Sequence, residues 1–395
     1  GALGARALGD AVARTGVAAA ALMVAVAMLV AFGIMVSSFR RTVDTWITQT
    51  IRGDLYVEPV GHRLSGSATV LPPAFVDALA AVPGVSAVDR YRASHLPLGG
   101  RDVLVVGLDF GVQAARGRLQ FVSHVPVPGA AGGAAHAETR DVLAYARARD
   151  AAIVSESFAR HRGVASGDTL SLPLPAGRAR IPVAGVIYDY STDAGAIYLD
   201  RDLDARLTGS DRTESVALYL APGADPERVR RAVAAAAGDS IALALIPNQA
   251  LRARVLTVFD QTFQVTWALQ AIALLVAVLG VVGTLTALIA QRARDLGVLR
   301  AIGATRGQLE RVVLVESGLL GLTGALLGCV AGLTLALLLI DVINVQFFGW
   351  TIRLTIEPGR FVRAIALITG TALLAGIAPA RRAASRPIAD AMRTE

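Results

Sequence analysis

Ser157 and His161 stand four residues apart on a stretch with helical spacing, and Asp189 and Asp193 follow downstream. These are the parts of a Ser/His/Asp hydrolase. The usual frame for them is missing, because the sequence has no Gly-x-Ser-x-Gly elbow and no His-Glu-x-x-His. A serine and a histidine on a solvated helix are the simpler reading. His62, His95, His124 and His136 follow no metal-ligand spacing. All 38 basic residues are arginine, so a Walker A loop and a Schiff-base lysine are both excluded. Cys329 is alone in an apolar run, which excludes an intrachain disulfide, a multi-cysteine zinc site and a Cys-ligated cluster. These residues give little sign of catalysis and call for no cofactor of the chain's own, which leaves its work to other elements.

The elements that would do such work are membrane helices. Of 395 residues, 54% are hydrophobic and only 17% charged, a balance foreign to ordinary soluble enzymes. Residues 15–39 carry no charge, enough for a helix through a hydrocarbon core of about 30 Å. The run is too long for a signal-peptide core and no small-x-small site closes it. Further uncharged or nearly uncharged runs cover 261–291, 317–340 and 361–380, the last holding Arg363, which can snorkel to the interface. The expected order is a cytoplasmic amphipathic segment (1–16), a first span (17–36), stalks and a large domain (37–263), a second span (264–290), a cytoplasmic segment (291–316), a third span (317–340), a short outer loop (341–360), a fourth span (361–380) and a tail (381–395).

Arginine placement orients these four spans. Arg6 and Arg14, then Arg292, Arg294, Arg300, Arg306 and Arg311, then Arg381, Arg382, Arg386 and Arg393 all fall on one face, against Arg353, Arg360 and Arg363 on the other. The richer face is read as cytoplasmic, which puts the large domain outside and Trp46, Trp267 and Trp350 on its flank as an aromatic belt. Residues 40–260 hold 24 arginines against 23 carboxylates. The domain is thus nearly neutral, and nucleic acid is excluded as a partner.

Within the domain the chain alternates in type, which predicts a mixed α+β fold of two subdomains. Strands are expected at 54–60, 85–91, 102–108, 151–154, 169–174, 179–188, 196–199 and 215–220, and helices at 73–81, 157–162 and 226–237. The strands between 151 and 199 read as a small barrel or sandwich, and 129–137 as a flexible Gly/Ala loop. Val43, Trp46, Ile47 and Ile51 recur at helical spacing after the first span, as do Leu251, Val255, Val258, Phe259 and Phe263 before the second. The two apolar stripes are expected to pack on each other as stalks.

The sharpest pattern is 291–317, QRARDLGVLRAIGATRGQLERVVLVES. Leu296, Leu299 and Ile302 form an apolar stripe among arginines, Gly303-Ala304 breaks the helix, and Thr305 with Gln308 fits a capping box opening the next one. Such a piece suits either lipid headgroups or a groove on a cytoplasmic partner. In the third span, Gly324, Gly328 and Gly332 form a small-xxx-small ladder that could pair with a second chain or with helices of the same chain.

Residues 296–305, LGVLRAIGAT, resemble the signature of the FtsX-like, MacB-like permeases of ABC transporters. The tail residues Pro379, Ala380, Arg381, Arg382, Ala383 and Ala384, then Pro387, Ala391, Met392 and Arg393, resemble the closing motif of that family. The Val-Pro-Gly-Val turn at 82–85, the Val-Gly-Leu-Asp at 106–109, and the segments 167–170 and 183–186 resemble its outer core domain. The resemblance implies a MacB-like extracytoplasmic domain between spans one and two of a bacterial inner-membrane protein. It also implies a separate cytoplasmic ATPase homodimer carrying ATP and Mg. Carried over, the coupling contact falls on Asp295, Leu296, Leu299, Arg300, Ile302, Gly303 and Thr305, with 3–12 and 381–393 as flanks. ATPase closure would then move the outer domain against a lipid, lipoprotein, peptide or drug-like substrate. The opening also resembles the second half of eight-span members, so a covalent partner half is one expectation and a second copy the other. A membrane-anchored sensor and an outward-facing hydrolase are the rival readings.

Overall fold

The computed structural model describes residues 2–60, 70–130, 133, 137–174, 177–238, 241–262, scattered positions between 264 and 298, and 302–385. It divides into two compact units, one of Gly1–Phe39, Asp260–Ile343 and Arg353–Glu395, the other of Arg40–Phe259 and Asn344–Ile352.

The first unit is helical. α1 (Ala2–Thr50) runs through it without a break. Three helices among the described residues are long and apolar enough to cross a membrane: Leu22–Thr50, Arg306–Phe348 and Phe361–Ala378. Most of the expected second span at 264–290, and the tail beyond 385, lie outside the described residues. So do 131–132 and 134–136 of the expected Gly/Ala loop. The helices pack by bringing backbones close. In α9 (Arg306–Leu337) a Cβ added at Gly321 would lie 2.6 Å from Ala372 Cβ of α11 (Pro358–Ser385). Near the end of α1, Ser38 Oγ accepts from Thr355 N at 3.0 Å.

The second unit is built on one ten-stranded sheet in the order β10-β1-β9-β2-β3-β8-β5-β7-β4, with β6 paired to β7. Its strands are β1 (Leu55–Pro59), β2 (Val85–Leu98), β3 (Arg101–Leu108), β4 (Phe121–His124), β5 (Ala152–Ser155), β6 (Thr169–Leu174), β7 (Gly177–Ile187), β8 (Ala196–Asp200), β9 (Ser215–Leu220) and β10 (Leu243–Pro247). The helices α2 (Pro73–Leu79), α3 (Phe110–Arg116), α4 (Thr139–Ala148), α5 (Glu156–Arg162), α6 (Arg201–Thr208), α7 (Pro226–Ala237) and α8 (Asn248–Thr262) cover it. All eight expected strands and all three expected helices are present. α3, α4, α6, β4 and β10 come in addition to them.

Two differences matter for the architecture. β2 extends to Leu98, seven residues beyond the expected strand. Its first half pairs with β9 (Val88↔Leu218) and its second with β3 (Ser94↔Val105), so the two subdomains share this strand. The expected barrel or sandwich of the 151–199 strands is instead part of the open sheet. β5 is buried at every position, a pattern that demands cover on both faces. Ala152 and Val154 pack with Phe158, Leu172, Ile197 and Leu203. Ile153 packs oppositely with Phe110, Val142, Leu143 and Ala146. The β9 side has a separate core, in which Phe75, Leu79, Val229 and Val233 of α2 and α7 meet Val57, Val216 and Leu218.

Of the expected stalk stripes, Val43, Ile47 and Leu251 are buried, and polar contacts come in addition. α8 meets the end of α1 through polar groups: Asn248 Nδ2 donates to Ile51 O at 3.1 Å and Gly53 O at 2.6 Å, and Arg252 donates to Ile51 O at 2.8 Å. Val258, expected in the apolar seam, is 57% exposed. A helix end leaves carbonyls without intrahelical partners, and here they are the docking points.

Candidate functional site

The turn before α9 is formed by strong local signals. Gly303 has φ +109°, which side chains other than glycine seldom adopt, and it ends the preceding turn, where Ile302 N donates to Val298 O at 3.0 Å. Thr305 Oγ1 accepts from Gln308 N at 3.3 Å while Gln308 Oε1 accepts from Thr305 N at 2.9 Å, a reciprocal capping box. Ile302 is 79% exposed and Val298 44%. Of the residues assigned to coupling, Ile302, Gly303 and Thr305 are described; Asp295, Leu296, Leu299 and Arg300 lie outside the described residues.

The glycine ladder faces the chain's own first helix. A Cβ at Gly332 would lie 2.8 Å from Val30 Cβ and 2.9 Å from Ala27 O, and one at Gly328 would collide with Val26 and come 2.8 Å from Met23 O. Gly324 is buried in the same helix.

Ser157 and His161 are brought together without forming a catalytic pair. Ser157 is fully buried; its Oγ lies 3.1 Å from Ser155 Oγ and donates to Thr192 O at 3.4 Å. The Arg101 guanidinium donates to His161 Nδ1 at 3.2 Å, and His161 Nε2 is buried without a hydrogen-bond partner. Burial, helped by the Arg101 charge, lowers the His161 pKa. Asp189 accepts from Ser191 N at 3.0 Å and Ser191 Oγ at 2.8 Å, while Asp193 accepts from Ala194 N at 2.9 Å. Each group is committed to local packing, so the hydrolase arrangement does not assemble.

Against these residues lies part of the segment expected to be a short outer loop, with no signal in its own residues of where it would dock. α10 (Val345–Phe348) ends at Gly349, whose φ is +69°. An added Cβ there would lie 3.1 Å from Ser157 Cα and 3.4 Å from His161 Cε1. Glu156, 2% exposed, accepts from Thr351 N at 2.9 Å, Thr351 Oγ1 at 2.6 Å and Arg160 at 2.8 Å. Tyr190 OH donates to Thr351 O at 2.7 Å, and Asn344 Nδ2 to Trp350 O at 2.6 Å. Trp46 and Trp350, expected as belt residues, both pack edge-on against Tyr190 with centroids 5.9 and 5.8 Å away.

The junction of the two subdomains carries buried charge. Where β2 changes partner, Arg92 donates to Asp204 Oδ2 at 2.5 Å and to Thr208 Oγ1 at 3.0 Å. Gly107 makes room for that carboxylate, since a Cβ there would lie 2.7 Å from Asp204 Oδ2. Asp109 caps α3 through Gly111 N and Val112 N. These two contacts account physically for the Val-Gly-Leu-Asp segment. Asp89, 4% exposed, accepts from Gln113 Nε2 at 2.5 Å and Asp109 N at 3.3 Å, and burial pushes its pKa up to about 7. A cleft of about 370 Å³ opens beside Arg90, Asp109, Arg201 and Asp202. Its arginines are each held by a carboxylate, Arg90 by Asp77 and Arg201 by Asp211.

Two family models match this chain in succession. The family model for the MacB-like periplasmic core domain matches residues 15–236, and that for the FtsX-like permease C-terminal region matches 267–388. An uncharacterized ABC transporter permease protein of Mycobacterium tuberculosis is 30% identical over 389 residues, covering 97% of this chain and 44% of its own length. The macrolide export ATP-binding/permease protein MacB of Chlorobium luteolum is 34% identical over 116 residues, 29% of this chain and 16% of its own. The chain thus spans less than half the length of these curated relatives. The periplasmic region of MacB from Actinobacillus actinomycetemcomitans superposes with a TM-score of 0.37 and 12% identity, over 52% of this chain and 94% of that one.

Proposed function

The chain belongs to the FtsX-like ABC transporter permeases that carry a MacB-like periplasmic core domain, and from that premise we propose that its work is force transmission. A separate cytoplasmic ATPase homodimer, holding ATP and Mg, docks on the turn around Ile302. Its closure moves the membrane helices and, through them, a domain outside the bacterial inner membrane. That domain acts on a lipid, lipoprotein, peptide or drug-like substrate. The chain works with a second permease half or a second copy, among membrane lipids, and does no bond chemistry itself.

The observation that carries this reading is one of sides. Residues 344–352 pack into the domain that follows α1, so both lie on the same face of the membrane. α9, with 32 residues, is about 48 Å long at about 1.5 Å per residue, enough to cross once. Its start, with the exposed Ile302 turn, therefore falls on the opposite face. Returning the chain from the domain to that turn takes one more crossing between 260 and 305, which supports the four-span order with the uncharged run at 264–290 as the second span. An exposed apolar turn on the far side of the membrane from the domain is what an ATPase contact needs.

The test is co-purification of the full chain with the ATPase encoded beside it. Retention is expected, and Ile302→Asp, placing a charge where the groove must be apolar, should weaken it at least 10-fold while leaving the domain folded. A thiol introduced at Ile302 should react only from the cytoplasm. Labelling from outside intact cells, or no ATPase retained, refutes the reading.

A further inference from the structure

Residues 344–352 are held too specifically for a connector between two helices. Glu156 is a buried carboxylate, and a buried charge is tolerated only when its lone pairs are used. Three donors meet it, and two come from Thr351, 195 positions away in sequence. Arg160 closes the triangle by donating to Thr351 Oγ1 at 3.0 Å. Tyr190 takes the Thr351 carbonyl from the other side, so every polar backbone group of Thr351 is bonded within the domain. Around this centre, Gly349 is pressed onto α5, Ile352 is 6% exposed, and Trp350 stacks on Phe348 with centroids 5.4 Å apart.

The placement of Glu156 adds to the hold. It begins α5 directly after the Ser155 cap, where a helix favours negative charge. Residues 344–352 overlap the end of the apolar helix Arg306–Phe348 and are joined to α11, which begins at Pro358, by residues 353–357.

We propose that residues 344–352 form a strap, latched to the domain through Glu156, which carries movement of α9 and α11 to the domain in addition to the direct chain links through α1 and α8. The transmission part rests on the proposed permease function; the latch does not. A rigid latch is the useful design for a pulling element, because a carboxylate with three donors holds geometry where apolar contacts alone would slide.

The test uses the full chain with its ATPase in lipid nanodiscs, and compares wild type with Glu156→Ala and Thr351→Val. Without nucleotide, hydrogen exchange at Thr351 and Ile352 should rise at least 10-fold in both variants, with β3 and β8 as protected as in wild type. Unchanged exchange in both overturns the latch. Should Glu156→Ala lose β3 and β8 protection, Thr351→Val decides alone, since it removes one hydroxyl at the surface of the core. With the ATPase trapped as its ADP–vanadate complex, the exchange response of the domain should fall by half or more in the variants, while the ATPase stays bound and, without vanadate, hydrolyses ATP as in wild type. A full response would show that the strap transmits nothing. A wild-type complex without any nucleotide response would instead refute the permease function, and the nucleotide-free exchange would still decide the latch.

Discussion

Asp89 lies in β2, nine-tenths or more out of water, with two donors and, among the described residues, no cation on its carboxylate. Burial raises its pKa from 3.8 to about 7. Because the folded value is above the unfolded one, protonated Asp89 favours the fold. The associated stability is complete below about pH 4 and is lost as the pH climbs through about 7. Linkage puts the loss between about pH 5 and about pH 8 at about 2–3 kcal/mol. Asp89→Asn removes the titration while keeping the shape. Its amide oxygen can still accept from Asp109 N, and Gln113 can turn its own amide to accept from the new one. Between about pH 5 and about pH 8 the variant should therefore gain about 2–3 kcal/mol on wild type, so that the ratio of its exchange protection in β2 and β9 to that of wild type rises about 50-fold. Asp189, Asp200 and Asp204 are also raised by burial, so the difference between variant and wild type is the quantity to follow. Equal pH slopes in the two proteins would show that Asp89 is ionised in the fold, and that the burial argument fails there.

Asp204→Ala should cost about 3 kcal/mol, because it leaves the half-buried Arg92 without its carboxylate at the strand shared by both subdomains; thermal unfolding and exchange in β2 and β3 would read it. Gly328→Leu should force α1 and α9 apart at about 1–3 kcal/mol and lower the thermal midpoint in detergent. Gly370→Leu, at a position where an added Cβ meets nothing, should leave it unchanged.

Part of this protein is legible locally. Uncharged runs identify the apolar helices at 17–36, 317–340 and 361–380 because an apolar helix long enough for the bilayer needs only its own residues. Thr305 and Gln308 announce their capping box because both halves of it lie within one turn. The strand at 102–108 and the helix at 226–237 show in alternation and in Pro226 at a helix start. The arginine-only composition excludes a nucleotide-binding P-loop by itself, since that loop needs a lysine amine on the phosphates.

What needs the fold is what depends on distant partners. Strand β2 changes neighbours midway between β9 and β3, so its length reflects two pairings that no local pattern contains. β5 is covered on both faces by helices separated in sequence, which is why its apolar run reads equally well as part of a sandwich. Ser157 and His161 have the spacing of a catalytic pair, but Arg101, Thr192 and Gly349 converge on them from three other places and give them other work. Glu156 looks in sequence like one more surface carboxylate at a helix start; only the return of Thr351 buries it. Local sequence sets the preferences of each element through short-range sterics and hydrogen bonds, whereas the energy of a buried charge depends on which donors folding brings to it.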